Sequence, residues 1–213
     1  DTIAVTKEGI ILAGNDDGEI VVIDNETIKN VPAHEAGIKR LVYSEDAGKL
    51  VSLSYDRSFK IWKLNGNDLT MEASHQFNNM VWPRSCAFLN SEDIVFGTFG
   101  TKYAQFNLKT QTWNHDYVEP TLGINAACEV NGDVFAIGDA GFVFKNGEKV
   151  NELGSLCNFI IDFKGHVITG GQTGEIFDAN TGEVYFQHSS PLNCATNFLH
   201  QGKPALAIGA YTG

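Results

Sequence analysis

Four side chains in one stretch of the chain have the types and spacing from which chemistry could be built: His34, Ser52, Asp56 and Trp62. A serine hydroxyl, an imidazole and a carboxylate are the parts of an acyl-transfer triad, in which the imidazole takes the hydroxyl proton and the carboxylate fixes its tautomer. That chemistry needs a nucleophile exposed on a strained elbow. Ser52 lies instead inside the short apolar run Leu50-Val51-Ser52-Leu53-Ser54, and nothing around it marks such an elbow. No catalytic residue is assigned.

The remaining reactive side chains are scattered. Glu129 and Asp162 fall near the ends of apolar runs, and His166 and His200 fall beside turns, so no convergent acid–base or metal site is indicated. The cysteines, Cys86, Cys128, Cys157 and Cys194, form no Cys-x-x-Cys pair of the kind that nucleates zinc. Each lies in the first apolar run of its segment, as in Leu156-Cys157-Asn158-Phe159. Such positions would sit in separate sheets, beyond the ~5.5–6 Å Cα separation of a disulfide. They read as small buried residues in a reducing compartment, which places the protein in the cytoplasm. No cofactor and no metal is expected.

The elements that carry these residues are short runs of about 4–8 residues rich in Val, Ile, Phe, Tyr and Thr, broken by Gly, Asn and Asp, which is the pattern of strands and turns. One segment has four runs, Ile38 to Ser44, Leu50 to Ser54, Ser58 to Leu64 and Leu69 to Phe77. Asn65-Gly66, Asn131-Gly132 and Asn146-Gly147 supply hairpin turns that need positive φ. No amphipathic helix of ten residues is present. The same turn recurs at positions 18, 57, 100, 141, 174 and 213, in steps of 39, 43, 41, 33 and 39 residues. A period near forty with four strands per unit predicts an all-β fold, a β-propeller of four-stranded antiparallel blades. The blades span approximately 1–33, 34–77, 78–118, 119–152, 153–188 and 189–213, the last incomplete, so about five and a half are visible.

With 43 % hydrophobic residues, the 213-residue chain can bury a substantial core. Fifteen Lys and Arg against 26 Asp and Glu give a net charge of −11, which opposes the phosphate attraction behind nucleic-acid binding. Nucleic acid and anionic membranes are therefore discounted as partners. No apolar stretch approaches the ~20 residues of a membrane-spanning helix.

His34, Ser52, Asp56 and Trp62 stand in the order of the WD-repeat family, and the second segment resembles a WD repeat. The others are degenerate: Asp17 and Asp24 match the turn and closing aspartates, but Ile23 replaces the tryptophan, and Thr98-Phe99-Gly100 carries no Asp. The resemblance implies that the four side chains form a buried hydrogen-bond network with a structural role. Burial alone would demand as much, since an indole N–H, an imidazole and a carboxylate each need a partner. The resemblance also implies a seven-bladed ring, of which this chain would be part, against a competing five-bladed ring closed by its own terminal strands, and an interaction scaffold that binds a protein or peptide through loops on one face. The residues expected there are Tyr55, Arg57, Trp82, Arg84, Phe99 and Lys102, aromatic and basic side chains of the kind that dominate interfaces. The alternatives are a propeller enzyme, lactonase-like or glycosidase-like, and a structural module attached to an effector domain. The run Asp178-Ala179-Asn180-Thr181-Gly182 is similar to quinoprotein-type repeats, but one copy of a turn signature makes no cofactor pocket.

Overall fold

The computed structural model describes residues 2–77, 82–99, 103–115 and 123–212. The chain divides into two compact units, 1–84 and 85–213. Strands are numbered in chain order. The first unit holds two four-stranded antiparallel sheets: β1 (Thr2–Val5), β2 (Ile11–Gly14), β3 (Glu19–Asp24) and β4 (Thr27–Pro32), then β5 (Ile38–Ser44), β6 (Lys49–Ser54), β7 (Ser58–Asn65) and β8 (Asp68–Gln76).

The second unit begins within β9 (Trp82–Phe88), which pairs in turn with β10 (Asp93–Phe99), β11 (Tyr103–Asn107) and β12 (Thr112–Asn114). The next sheet is β13 (Ile124–Val130), β14 (Asp133–Gly138), β15 (Phe142–Lys145) and β16 (Glu148–Glu152), followed by β17 (Cys157–Phe163), β18 (His166–Gly171), β19 (Glu175–Asp178) and β20 (Val184–Gln187). A two-stranded sheet, β21 (Leu192–His200) with β22 (Lys203–Ala210), comes last. Each sheet is a meander in which sequence neighbours are spatial neighbours. Among the described residues there is no helix, so none that could cross a membrane.

Burial within a sheet runs in a gradient that explains the sequence pattern. Second strands are buried on both faces, as in β14 and β18, and their residues are near-continuously apolar. Fourth strands are mostly exposed and alternate, as in β8. The core is a series of layers between consecutive sheets. Leu12, Ile20, Val22, Ile38, Leu50 and Trp62 close the layer between the two sheets of the first unit, each large side chain contributing roughly 1.5–3 kcal/mol by leaving water. Within the second unit, Ala126, Cys157 and Ile160 lie in one such layer and Phe159, Ile168 and Leu192 in the next.

First strands carry a repeated irregularity. The ladder skips one residue at Lys39 in β5, Asn125 in β13, Asn158 in β17 and Asn193 in β21. At two of these bulges the amide becomes a bridge to the following sheet: Asn125 Nδ2 donates to the Cys157 carbonyl at 2.9 Å and Asn158 Nδ2 to the Leu192 carbonyl at 2.8 Å. Adjacent sheets are thus tied by hydrogen bonds as well as by apolar packing.

The turn between second and third strands fixes the repeat. In the turns led by Asn15, Gly138 and Gly171, the N–H three residues on bonds back to the leading carbonyl and belongs to Gly18, Gly141 and Gly174, at φ of 80°, 70° and 79°. A Cβ on Gly174 would stand 2.3 Å from the His188 carbonyl, so no side chain fits. The second sheet departs from this: Arg57 occupies the same place at φ 64°.

Candidate functional site

The β6–β7 turn and the groups behind it form the most elaborated polar assembly among the described residues. Trp62 Nε1–H donates to Ser52 Oγ at 2.9 Å, and Ser52 Oγ is 2.7 Å from His34 Nε2. On its other side the imidazole places Nδ1 3.0 Å from Asp56 Oδ2 and 3.0 Å from Ser58 Oγ. The Asp56 carboxylate can only accept, so Nδ1 carries the proton and donates to it; in the neutral imidazole Nε2 is then the bare nitrogen and accepts from the Ser52 O–H. Ser58 Oγ–H and the Ser58 N–H donate to Asp56 Oδ1 at 2.6 and 2.8 Å, and the Glu35 N–H donates to Oδ2 at 3.1 Å. Every polar atom in this chain has a partner.

Electrostatics agree with that proton placement. The His34 side chain is fully buried, and burial holds its pKa below the usual 6.5 although Asp56 pulls the other way. The imidazole is therefore neutral at pH 7. Burial pushes the Asp56 carboxyl up, but donation from Ser58 and from the Glu35 N–H outweighs it and leaves the group below its ordinary 3.8. Ser52 is 0 % exposed, so its hydroxyl cannot meet a substrate. The triad-like constellation is a clamp from strand to strand that fixes the turn carrying Asp56.

In front of the clamp stand Tyr55 and Arg57. Tyr55 is 46 % exposed, with Lys39 Nζ 5.8 Å from its ring centroid, and Arg57 is exposed. The other expected face residues are placed differently. Trp82 and Arg84 belong to β9, and Phe99 ends β10, so all three lie in strands where loops were expected. Arg84 is half-buried. The reason is local: Trp82-Pro83-Arg84-Ser85-Cys86 is strand from its first residue, with Pro83 near the strand end where a missing N–H is tolerated. The side chains of Trp82 and Phe99, and Lys102 altogether, lie outside the described residues. Tyr55 and Arg57 stand two residues apart in the exposed β6–β7 turn.

The buried reading of the cysteines needs correction at two places. Cys86 and Cys157 are buried, Cys128 is half-buried and Cys194 is exposed. Cys194 follows the bulge in β21, beside Ala195, which packs on the cluster around Leu192. All four are free thiols, and burial raises that of Cys157 to about 11. The carboxylates Glu129 and Asp162 each accept from a glycine N–H in the hairpin three residues on, Gly132 and Gly165, and so serve as turn caps. Asp178 caps Asn180 and Thr181 through Oδ1 and accepts from the Tyr185 hydroxyl at 3.0 Å through Oδ2, with His166 Nδ1 3.6 Å away. Among the described residues, no three His, Cys, Asp or Glu side chains converge to hold a metal ion.

Sequence reasoning missed Ser58 and the bulge amides. Ser58 was signalled by Asp56-Arg57-Ser58, in which an aspartate bonds the group two residues on. Asn125 and Asn158 had no such signal, because their partners lie 32 and 34 residues away in another sheet.

No family model matches the chain, and no curated protein does. Among solved structures it is similar to the computationally designed Ika8 protein, with a TM-score of 0.68 and 19 % identity over 98 % of this chain and 67 % of that one. It is also similar to the computationally designed Ika4 protein, with a TM-score of 0.54 and 19 % identity over 68 % of this chain and 88 % of that one. At this identity the likeness concerns the fold: an all-β repeat protein built of propeller-like, four-stranded antiparallel blades.

Proposed function

We propose that this chain is a non-catalytic interaction scaffold of the WD-repeat kind, a β-propeller that binds a protein or peptide through the β6–β7 turn, with Tyr55 and Arg57 as its contact residues. The observation that carries the reading is Arg57. It holds a left-handed backbone at φ 64° in the turn position that is glycine at 18, 141 and 174. An L-residue in that conformation costs roughly 1–2 kcal/mol, and the side chain it keeps there is exposed, so nothing in the packing offsets the cost. Exposed Gln111, Lys164 and Gln201 hold the same backbone in hairpin turns, and Arg57 is set apart by standing where the equivalent turns carry glycine. Tyrosine and arginine are the residue types that supply most interface energy, and the clamp behind them limits the entropy lost on binding. A chain of net charge −11 favours a basic or neutral segment as its partner.

The test is affinity capture from a lysate of the source cell, comparing wild type with a Tyr55→Ala, Arg57→Glu variant of unchanged melting temperature. A protein enriched by wild type and lost with the variant supports the reading. Equal recovery by both overturns it.

A further inference from the structure

Asn65-Gly66, Asn131-Gly132 and Asn146-Gly147 mark hairpin turns, and the same pair of residues has a chemistry of its own. The glycine main-chain nitrogen can attack the asparagine side-chain Cγ, because no Cβ on the following residue crowds its approach. The new N–Cγ bond closes a five-membered succinimide, the Cγ–Nδ2 bond breaks, and the leaving nitrogen departs as ammonia with the proton of the glycine amide. Water then opens the ring at either carbonyl, giving aspartate or isoaspartate. No oxidant and no enzyme is needed. The two reacting atoms must be free to meet within about 3–3.5 Å, and the fold decides that separately for each pair.

At Asn146 the side chain is held twice. Its Oδ1 accepts from the Val134 N–H at 2.8 Å and its Nδ2 donates to Asp133 Oδ1 at 2.7 Å. At Asn131 the nucleophile is held instead, since the Gly132 N–H donates to Glu129 Oε1. Both asparagines sit inside their turns, in left-handed backbone at φ 48° and 54°, between the paired residues Lys145 and Glu148 and the paired residues Val130 and Asp133. Asn65 differs on every count. It is the last residue of β7, paired with Asp68, and it precedes the positive-φ Gly66 instead of occupying the turn. Its side chain is exposed, and among the described residues neither that amide nor the Gly66 N–H has a hydrogen-bond partner.

The residues after it give the reaction a structural consequence. Lys29 Nζ of β4 donates to Asn67 Oδ1 and, at 2.7 Å, to Asp68 Oδ1, while Asn67 Nδ2 donates to Asp24 Oδ2 at 3.4 Å. The β7–β8 turn is thus a polar link between the two sheets of the first unit. Isoaspartate carries the main chain through Cγ, which adds one methylene before Gly66 and displaces Asn67 and Asp68 from Lys29 and Asp24.

We propose that Asn65 is a self-modification site, deamidating spontaneously to isoaspartate and aspartate, and that the isoaspartyl form loosens the link between these two sheets. The site is separate from the β6–β7 turn and does not depend on the function assigned to it.

The whole chain, kept warm at pH 8, is sampled over time, and each Asn-Gly peptide is followed by mass spectrometry with fragment ions that tell isoaspartate from aspartate. Asn65 should convert at least tenfold faster than Asn131 or Asn146. In concentrated urea the three rates should converge, because the motif is common to all and only the fold separates them. The isoaspartyl form, isolated by ion exchange, should show faster hydrogen exchange in β4 and the β7–β8 turn than either the unconverted chain or Asn65→Asp, which adds the charge without the methylene. Equal rates at the three sites in the folded chain, a tenfold spread that persists in urea, or an isoaspartyl form that exchanges like Asn65→Asp would each overturn the proposal.

Discussion

Replacing Ser52 by alanine should unfold the first unit far more readily than the loss of one exposed hydroxyl would. The hydroxyl is the meeting point of Trp62 Nε1–H and His34 Nε2, and the site is closed to water. Its removal leaves a buried donor and a buried acceptor without partners, each costing roughly 1–3 kcal/mol. The pair comes to about 2–4 kcal/mol, below the sum of the extremes because the imidazole keeps Asp56. Urea denaturation followed by tryptophan fluorescence reads this as a lowered midpoint at unchanged slope. In a double-mutant cycle, Trp62→Phe removes the donor that Ser52→Ala orphans, so the double variant should recover about 1 kcal/mol relative to additivity. A loss under ~0.5 kcal/mol for Ser52→Ala, or strict additivity, would refute the hydrogen-bond chain through Ser52.

Four further outcomes follow from the same geometry. Because burial lowers the folded His34 pKa, the unfolded chain takes up the proton first: stability should be full above pH 6.5 and fall below it, less steeply in His34→Asn, as urea midpoints across that range will tell. Arg57→Gly should raise stability by about 0.5–1 kcal/mol by relieving the left-handed backbone while weakening partner capture, whereas Gly174→Ala should destabilise, both read by calorimetry. Asn158→Ala removes the bond to the Leu192 carbonyl and should cost about 1 kcal/mol, seen as faster hydrogen exchange along β21. Iodoacetamide at pH 8 should label exposed Cys194 and spare Cys157, whose thiol is pushed up to about 11, as peptide mass spectrometry can resolve.

What the sequence carried was whatever is local. Asn-Gly pairs and glycines at fixed intervals marked turns because positive φ is a property of one or two residues, and the four runs of the second segment lie within a residue or two of β5 to β8. His34, Ser52, Asp56 and Trp62 were legible because they lie within one sheet and its lead-in. Properties set by the adjacent sheet were not. Cys157 and Cys194 read alike, yet one is covered and the other is not. The bulge asparagines acquire meaning only once the next sheet supplies a carbonyl. Trp82 and Phe99 were expected in loops because the WD-repeat resemblance puts the binding face on inter-strand loops, whereas they stand at the ends of β9 and β10. Arg57 was visible as a departure from glycine, but only its φ turns that departure into an energetic statement.

The central claim, that the β6–β7 turn is a recognition tip, is tested most directly by placing a photocrosslinking phenylalanine at position 55 and, as a control, at exposed position 70 on β8. Irradiation in lysate should give one discrete protein adduct from position 55, lost when Arg57→Glu is added, and none from position 70. No adduct at 55, or the same adduct from both positions, would contradict the account.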